Sequence, residues 1–233
     1  MSFVVFSDFD GTITTVDTGN VIIDSAMGKV ERMRLDAAIL DGTITYREGN
    51  NAMWAAVRFP AFDDAITVCH ANNITLDPHF PRFHALLDSL GVLPLKVVSA
   101  GLDPIVKLYL RDFSGIEIFA NCCEISNDGS WRLIYVDDSP FGHDKGAPIR
   151  RLKQLFIQQG LTEQTRPLIL FIGDGVSDLS AARDADVVFA KDGKDLATYC
   201  RREGITENLV LWSDFGQICQ WIEKEEWKKL SRG

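Results

Sequence analysis

The sequence predicts a doubly wound α/β fold with a mostly parallel sheet and a small helical cap inserted after the first strand. Three observations predict it. Short apolar runs that stop at Gly, Ser or Asp recur along the chain. Helical periodicity fills the intervals between most of them. One long interval, directly after the first run, holds helix-like patterns and no convincing strand.

The elements follow in order. "FVVFSD" (3–8), "LKVVSAG" (95–101), "LILFIGDG" (168–175), "VVFA" (187–190) and "LVLW" (209–212) are each the length of a strand buried on both faces, as parallel sheets require. Phe83, Leu86, Leu87 and Leu90 step by three and four. So do Ile149, Leu152, Leu155 and Phe156, and again Phe215, Ile218, Cys219 and Ile222. Those spacings predict amphipathic helices. Within the long interval, Val30, Met33, Ala37 and Leu40 repeat the pattern, and "MWAAV" (53–57) continues it. Trp54, Met53 and Phe59 read as core of that insert. It closes near "LDPHFP" (76–81), where Pro78 and Pro81 punctuate the return. The expected division is therefore a Rossmann-like core of residues 1–14 and 81–233 with a helical cap of 15–80. A further piece, 116–138, places apolar runs on both sides of Asn127-Asp128-Gly129, the signature of a β-hairpin.

Composition narrows the function. With 233 residues the chain can bury a full core. Its 24 Lys+Arg against 33 Asp+Glu give a net charge of -9, which argues against nucleic acid or an anionic membrane as partner. No run approaches the ~18 apolar residues of a membrane helix, and no leader peptide is visible. The five cysteines are odd in number and scattered, which predicts reduced thiols and a cytoplasmic setting. Oligomeric state is not legible, and monomer and homodimer both remain open.

The chemistry lies at the strand ends. In open α/β sheets ligands bind beyond the carboxyl ends of the strands. Asp8, Ser99, Asp174 and Asp178 each follow an apolar run, and Asp10 is two residues beyond Asp8. Carboxylates so close repel one another, and burial raises the cost. A hard divalent cation such as Mg2+ resolves the conflict, because it takes oxygen ligands and keeps positions open for water and phosphate. Lys145 in "GHDKG" places a point charge just before a helix, suited to a phosphoryl group. Ser99, Ala100 and Gly101 offer a hydroxyl and backbone N–H groups where a strand meets a helix, and Thr12 does likewise after Gly11.

"DFDGTIT", "SAG", "GHDKG" and "GDGVSDLSAA", in this order, resemble the four motifs of the haloacid dehalogenase superfamily of phosphatases. The insert resembles the small cap of the phosphoserine phosphatase subgroup. "SPFGHDK", "GDGVSDLSAA" and "FAKDGKDLATYC" are similar to the fungal polyol-phosphate phosphatases, which are related to the methionine-salvage phosphatases. The resemblance implies that Asp8 is a nucleophile forming an aspartyl-phosphate and that Asp10 is general acid and then general base. It implies that Asp8, the Asp10 carbonyl and Asp174 hold Mg2+, with Asp178 ligating or orienting a bound water. Thr12, Ser99 and Lys145 would hold phosphate oxygens. Asp17 matches the place of an acidic substrate-binding residue, and Arg47 is a second substrate-binding candidate reaching down from the cap. His143 is expected to orient the loop of Lys145. Ser177 stands where phosphoserine phosphatases carry Asn, and "DFDGT" where they carry "DFDST", so a linear polyol phosphate is favoured over phosphoserine as the small phosphomonoester substrate. A receiver domain would lack the insert and carry its phosphorylated Asp on a later strand, and a dehalogenase would not need the Asp10 carboxylate.

Overall fold

The computed structural model describes residues 2–230. Strand β1 (Phe3–Ser7) lies mid-sheet. The chain then forms helices α1 (Thr18–Met27), α2 (Lys29–Leu40), α3 (Tyr46–Ala55) and α4 (Phe62–Ala71) before rejoining the sheet through α5 (Phe80–Ser89) and β2 (Leu95–Leu102). Helix α6 (Asp103–Leu110) leads to β3 (Ile116–Ile125) and β4 (Trp131–Ile134). The second half runs α7 (Ala147–Gln158), β5 (Leu168–Gly173), α8 (Leu179–Asp184), β6 (Val187–Lys191), α9 (Asp195–Arg202), β7 (Leu209–Trp212) and α10 (Phe215–Glu223).

The seven strands are ordered β4-β3-β2-β1-β5-β6-β7, all parallel except β4, which pairs antiparallel with β3. From β1 the chain builds outward to one edge, then returns to β5 on the other side of β1. That reversal is the switch point of the sheet, and it opens beside the ends of β1 and β5. The two strands are in register from Phe3 against Leu168 to Ser7 against Ile172, so Asp8 and Asp174 leave the sheet together. The Asp8 N–H still donates to the Ile172 carbonyl at 2.8 Å.

Every residue of β5 is buried, because both faces are covered. Val5, Leu170, Ile172 and Phe189 face one apolar cluster with α5 and α10, while Phe6, Ile169, Phe171 and Val188 face another with α7 and α9. Phe83 packs its ring 4.8 Å from that of Phe215, tying α5 to α10.

The chain leaves the sheet and returns through paired segments. Thr14 bridges Leu76, the Thr15 N–H donates to the Thr75 carbonyl at 2.9 Å, and the Asp77 N–H to the Ile13 carbonyl at 2.8 Å. The chain thus leaves for α1–α4 and returns from them side by side, a few residues beyond β1 and Asp8.

The hairpin forms as expected, with Gly129 at φ +78° in its turn. The stripe in α2, by contrast, is a helix face turned outward: Val30, Met33 and Leu40 are 85%, 54% and 75% exposed. The inward face is split: Arg32 lines a polar cleft, while Leu35 packs into the apolar core. Among the described residues no helix is long and apolar enough to cross a membrane.

Candidate active site

The switch point opens into a cleft of about 770 Å³ between the strand ends and α1–α3. Asp8, Asp10, Gly11, Ala100, Gly101, Lys145 and Asp174 form its floor. Asp17, Asn20, Arg32, Tyr46, Asn50 and Trp54 are among the residues of its roof.

At the centre, the Lys145 ammonium donates to Asp8 Oδ1 at 2.7 Å and to Asp178 Oδ1 at 2.6 Å. The lysine is 1% exposed and Asp178 fully buried. The other oxygen of Asp178 accepts the N–H groups of Asp174 and Gly175, both at 3.0 Å. Carboxylate oxygens of Asp8, Asp174 and Asp178 lie within 4.8 Å of one another. Burial pushes the Asp8 carboxyl well above the usual range, the Asp178 charge adds to this, and Lys145 only partly opposes it. Asp174 is pushed up to about 6 by burial and then by Asp178. Burial alone would lower Lys145, but Asp178 and Asp8 reverse that and hold it above its ordinary value.

Three clustered carboxylates, two of them buried and Asp174 half-buried, against one bridging ammonium leave negative charge unmatched. The donors are all hard oxygens, so the set fits Mg2+, with Asp8, Asp174 and Asp178 as the residues able to hold it. Bound there, the ion would neutralise charge on the trio and on phosphate oxygens. The floor is shaped to keep the trio close. Gly11 sits at φ +73°, and a Cβ there would fall 2.5 Å from Asp174 Oδ2. The Lys191 ammonium holds the Gly11 carbonyl at 2.7 Å.

Asp10 is separate from that network. Its Oδ1 accepts the Thr18 N–H at 2.8 Å and the Thr18 hydroxyl at 2.7 Å, so the first residue of α1 holds it from above. Its Oδ2 lies over Gly101, where a Cβ would approach to 2.4 Å. Burial and the neighbouring Asp17 charge push Asp10 up to about 7, although Thr18 pulls the other way. A carboxyl poised there can carry a proton near neutral pH. Asp17 lines the cleft while capping α1, its Oδ1 accepting the Asn20 N–H at 2.7 Å.

The remaining predicted residues divide. Ala100 and Gly101 line the cleft. Ser99 is fully buried, and its hydroxyl oxygen accepts the Gly101 N–H at 2.9 Å, so that backbone donor is already occupied. Thr12 is fully buried, and its hydroxyl has no hydrogen-bond partner. His143 donates from Nδ1 to the Ser99 carbonyl at 2.9 Å, which ties the Lys145 loop to β2. Arg47 is a correction. Instead of reaching the cleft it donates from Nε to the Ser139 carbonyl at 2.8 Å and from Nη2 to the Asp137 carbonyl, with its guanidinium 4.4 Å over the Tyr135 ring. Position 47 lies on the side of α3 that packs against the loop before Lys145, so its charge serves docking. The neighbouring Glu48 closes a capping box at the start of α3, its carboxylate accepting the Thr45 N–H and hydroxyl, both at 2.8 Å.

Sequence reasoning missed Thr18, Arg32, Asn50 and Tyr46. Thr18 carried a readable signal, a Thr next to the helix-capping Asp17. The others did not, because the roof is assembled from three helices whose order over the floor is a tertiary fact.

A family model described as haloacid dehalogenase-like hydrolase matches residues 5–183. "Polyol phosphate phosphatase PYP1" of Saccharomyces cerevisiae is 38% identical over 209 residues, covering 87% of this chain and 86% of that protein. "Pdp3-interacting factor 1" of Schizosaccharomyces pombe is also 38% identical, over 87% of each chain. A solved structure titled "Phospho-Aspartyl Intermediate Analogue of Phosphoserine phosphatase" shares the fold, with a TM-score of 0.70 at 16% identity over 94% of this chain and 98% of that one.

Proposed function

The chain belongs to the haloacid dehalogenase-like hydrolase family and is a phosphoric monoester hydrolase, and from that premise we propose that it hydrolyses a small sugar-alcohol phosphate with Mg2+ as cofactor. Asp8 attacks phosphorus, the ester oxygen leaves with the proton of Asp10, and an aspartyl-phosphate remains. Asp10 then takes a proton from water, which attacks the aspartyl-phosphate and returns Asp8 with inorganic phosphate. Lys145 holds phosphate oxygens, with the backbone of Ala100 and Gly101 closing the floor and the buried Thr12 and Ser99 hydroxyls set behind it. Asp8, the Asp10 carbonyl and Asp174, with Asp178 beside them, would hold Mg2+, whose charge would offset the repulsion between Asp8 and a phosphate dianion.

The observation that carries this reading is the buried Lys145 bridging Asp8 and Asp178 beside a carboxyl pushed up to about 7. A charged trio serves a resident cation and an anion, and the separate protonatable group serves a leaving alkoxide. The cap of 15–80 supports a compact substrate, since its helices roof the cleft and limit the room for a leaving group. Ser177, the carboxylate of Asp17 and the name of the yeast relative support a polyol. The five cysteines are free thiols, which supports a cytoplasmic setting.

The test is kcat/KM over glucitol 6-phosphate, glycerol 3-phosphate, phosphoserine and 2-hydroxy-3-keto-5-methylthiopentenyl-1-phosphate, with Mg2+ and with EDTA. A polyol phosphate should lead the panel and EDTA should abolish turnover. A tenfold lead for phosphoserine or the methylthio ester, ~1.4 kcal/mol in transition-state binding, would reverse the substrate choice.

A further inference from the structure

We propose that Asp24, Arg32 and Asp36 form a charge filter in the cleft roof that excludes leaving groups carrying a carboxylate. All three side chains line the cleft, on α1 and α2. The Arg32 guanidinium donates from Nε to Asp24 Oδ1 at 2.5 Å, from Nη2 to Asp24 Oδ2 at 3.3 Å, and from Nη1 to Asp36 Oδ2 at 2.6 Å. Its side chain is 11% exposed, against 26% for Asp24 and 40% for Asp36, so the guanidinium is shielded while each carboxylate keeps an open edge toward solvent.

An arginine in a substrate cleft is ordinarily the group that captures an anionic substrate, through its planar fork of donors. Here the fork is already filled by two carboxylates, and the trio carries a net negative charge. With Asp17 added, the roof sets three carboxylates, Asp17, Asp24 and Asp36, against two cations, Lys29 and Arg32. A carboxylate on the leaving group would meet that excess. Turning Arg32 toward it would break the two-oxygen pairing with the partly shielded Asp24 as well as the bond to Asp36, and would bring the incoming carboxylate beside both. A hydroxyl meets no such opposition. Arg32 uses only part of the acceptor capacity of the two carboxylates, so a polyol can donate to the rest. Rejection therefore comes from a cation neutralised in advance, a repulsive element of specificity.

This inference rests on the phosphatase reading but not on which polyol is the substrate. The experiment uses pairs that differ only in the carboxylate: glucitol 6-phosphate against 6-phosphogluconate, and glycerol 3-phosphate against 3-phosphoglycerate. The readout is the neutral-to-acid ratio of kcat/KM. Wild type should favour the neutral member of each pair at least tenfold, less so at high salt. Asp24→Asn with Asp36→Asn frees Arg32, so the ratio should fall at least tenfold, chiefly through a lower KM for the acid. Arg32→Gln leaves the two carboxylates bare, so the ratio should rise. The opposed directions separate a filter from mere cap support, which would depress both members alike. Should the double variant fail to fold, Asp24→Asn alone should lower the ratio. A ratio that stays put, or moves the same way in both variants, overturns the filter. Wild-type failure on the neutral members overturns the polyol reading instead.

Discussion

Asp10 and Asp17 show how one carboxylate sets the working range of another. Asp10 is pushed up to about 7 by burial and then by Asp17, so its protonated form falls away as pH rises through that value. Proton donation to the leaving alkoxide needs that form. We therefore expect kcat/KM to decline on the alkaline side with one ionisation. Asp17→Asn removes the neighbouring charge yet keeps an acceptor for the Asn20 N–H, as Asn caps helices about as well as Asp. Its alkaline limb should move to lower pH, and an unmoved limb in a pH–rate profile would contradict the coupling. Asp10→Asn should lose ~10²–10⁴-fold in kcat, since it removes both proton transfers. Single-turnover kinetics should show both phosphoenzyme formation and breakdown slowed. Asp8→Asn should abolish turnover outright while the fold survives, because removing one of three crowded carboxylates relieves repulsion in the metal-free protein. Circular dichroism with an activity assay checks both halves of that statement.

At the scale of elements, two arginine-centred devices hold pieces of chain in place. Arg47 binds α3 to the carbonyls of the loop that delivers Lys145, and Tyr46 adds a ring 5.4 Å from Phe141 in the same loop. The cap and the catalytic lysine are thus braced together. Elsewhere Arg166, 3% exposed, donates to both oxygens of Asp186 at 2.6 and 2.7 Å, and the Ile169 N–H donates to Asp186 Oδ2 at 2.7 Å. That lock sets β6 beside β5. Burial would raise the Asp186 carboxyl, but the bonds from Arg166 and Ile169 outweigh it and hold it below the usual range. A carboxyl depressed in the fold stabilises it above its unfolded pKa, and that contribution is lost as pH falls through the folded value. Asp186→Asn should cost about 1.5–3 kcal/mol at neutral pH, the scale of hydrogen bonds to charged groups. The gap in Tm between wild type and variant should close as pH falls below about 4, the ordinary range of a free Asp. A constant gap down to strong acid would show that the charge of Asp186 is not what stabilises the lock.

For the whole molecule, the acidic trio links metal binding to folding. Asp8, Asp174 and Asp178 come from two strand ends and the 3₁₀ turn Val176–Asp178, and the unfolded chain holds no such site. Mg2+ should therefore raise Tm. At a hundredfold excess over Kd the gain is ~2.7 kcal/mol, and EDTA should return the melting curve to its metal-free position. Asp174→Asn should blunt this shift. A Tm indifferent to Mg2+ in wild type would remove the cation from the trio.

What was legible in the sequence is whatever depends on local order along the chain. Runs such as "LILFIG" announce strands buried on both faces, because an alternating pattern would be needed if either face met water. Asp8 and Asp174 sit where those runs stop, so the floor of the cleft was readable before any fold was known. The roof was not. Val30, Met33 and Leu40 have the spacing of a buried stripe, yet solvent covers them while Arg32 turns inward. Arg47 has the charge of a substrate ligand and spends it on two backbone carbonyls. Periodicity tells which residues share a helix face but not what that face meets. The strand ends are brought together by backbone hydrogen bonds whose register the apolar runs dictate, so their chemistry is written locally. The cap helices meet through side chains and not through a backbone ladder, and which of those side chains face the cleft is decided when the helices pack.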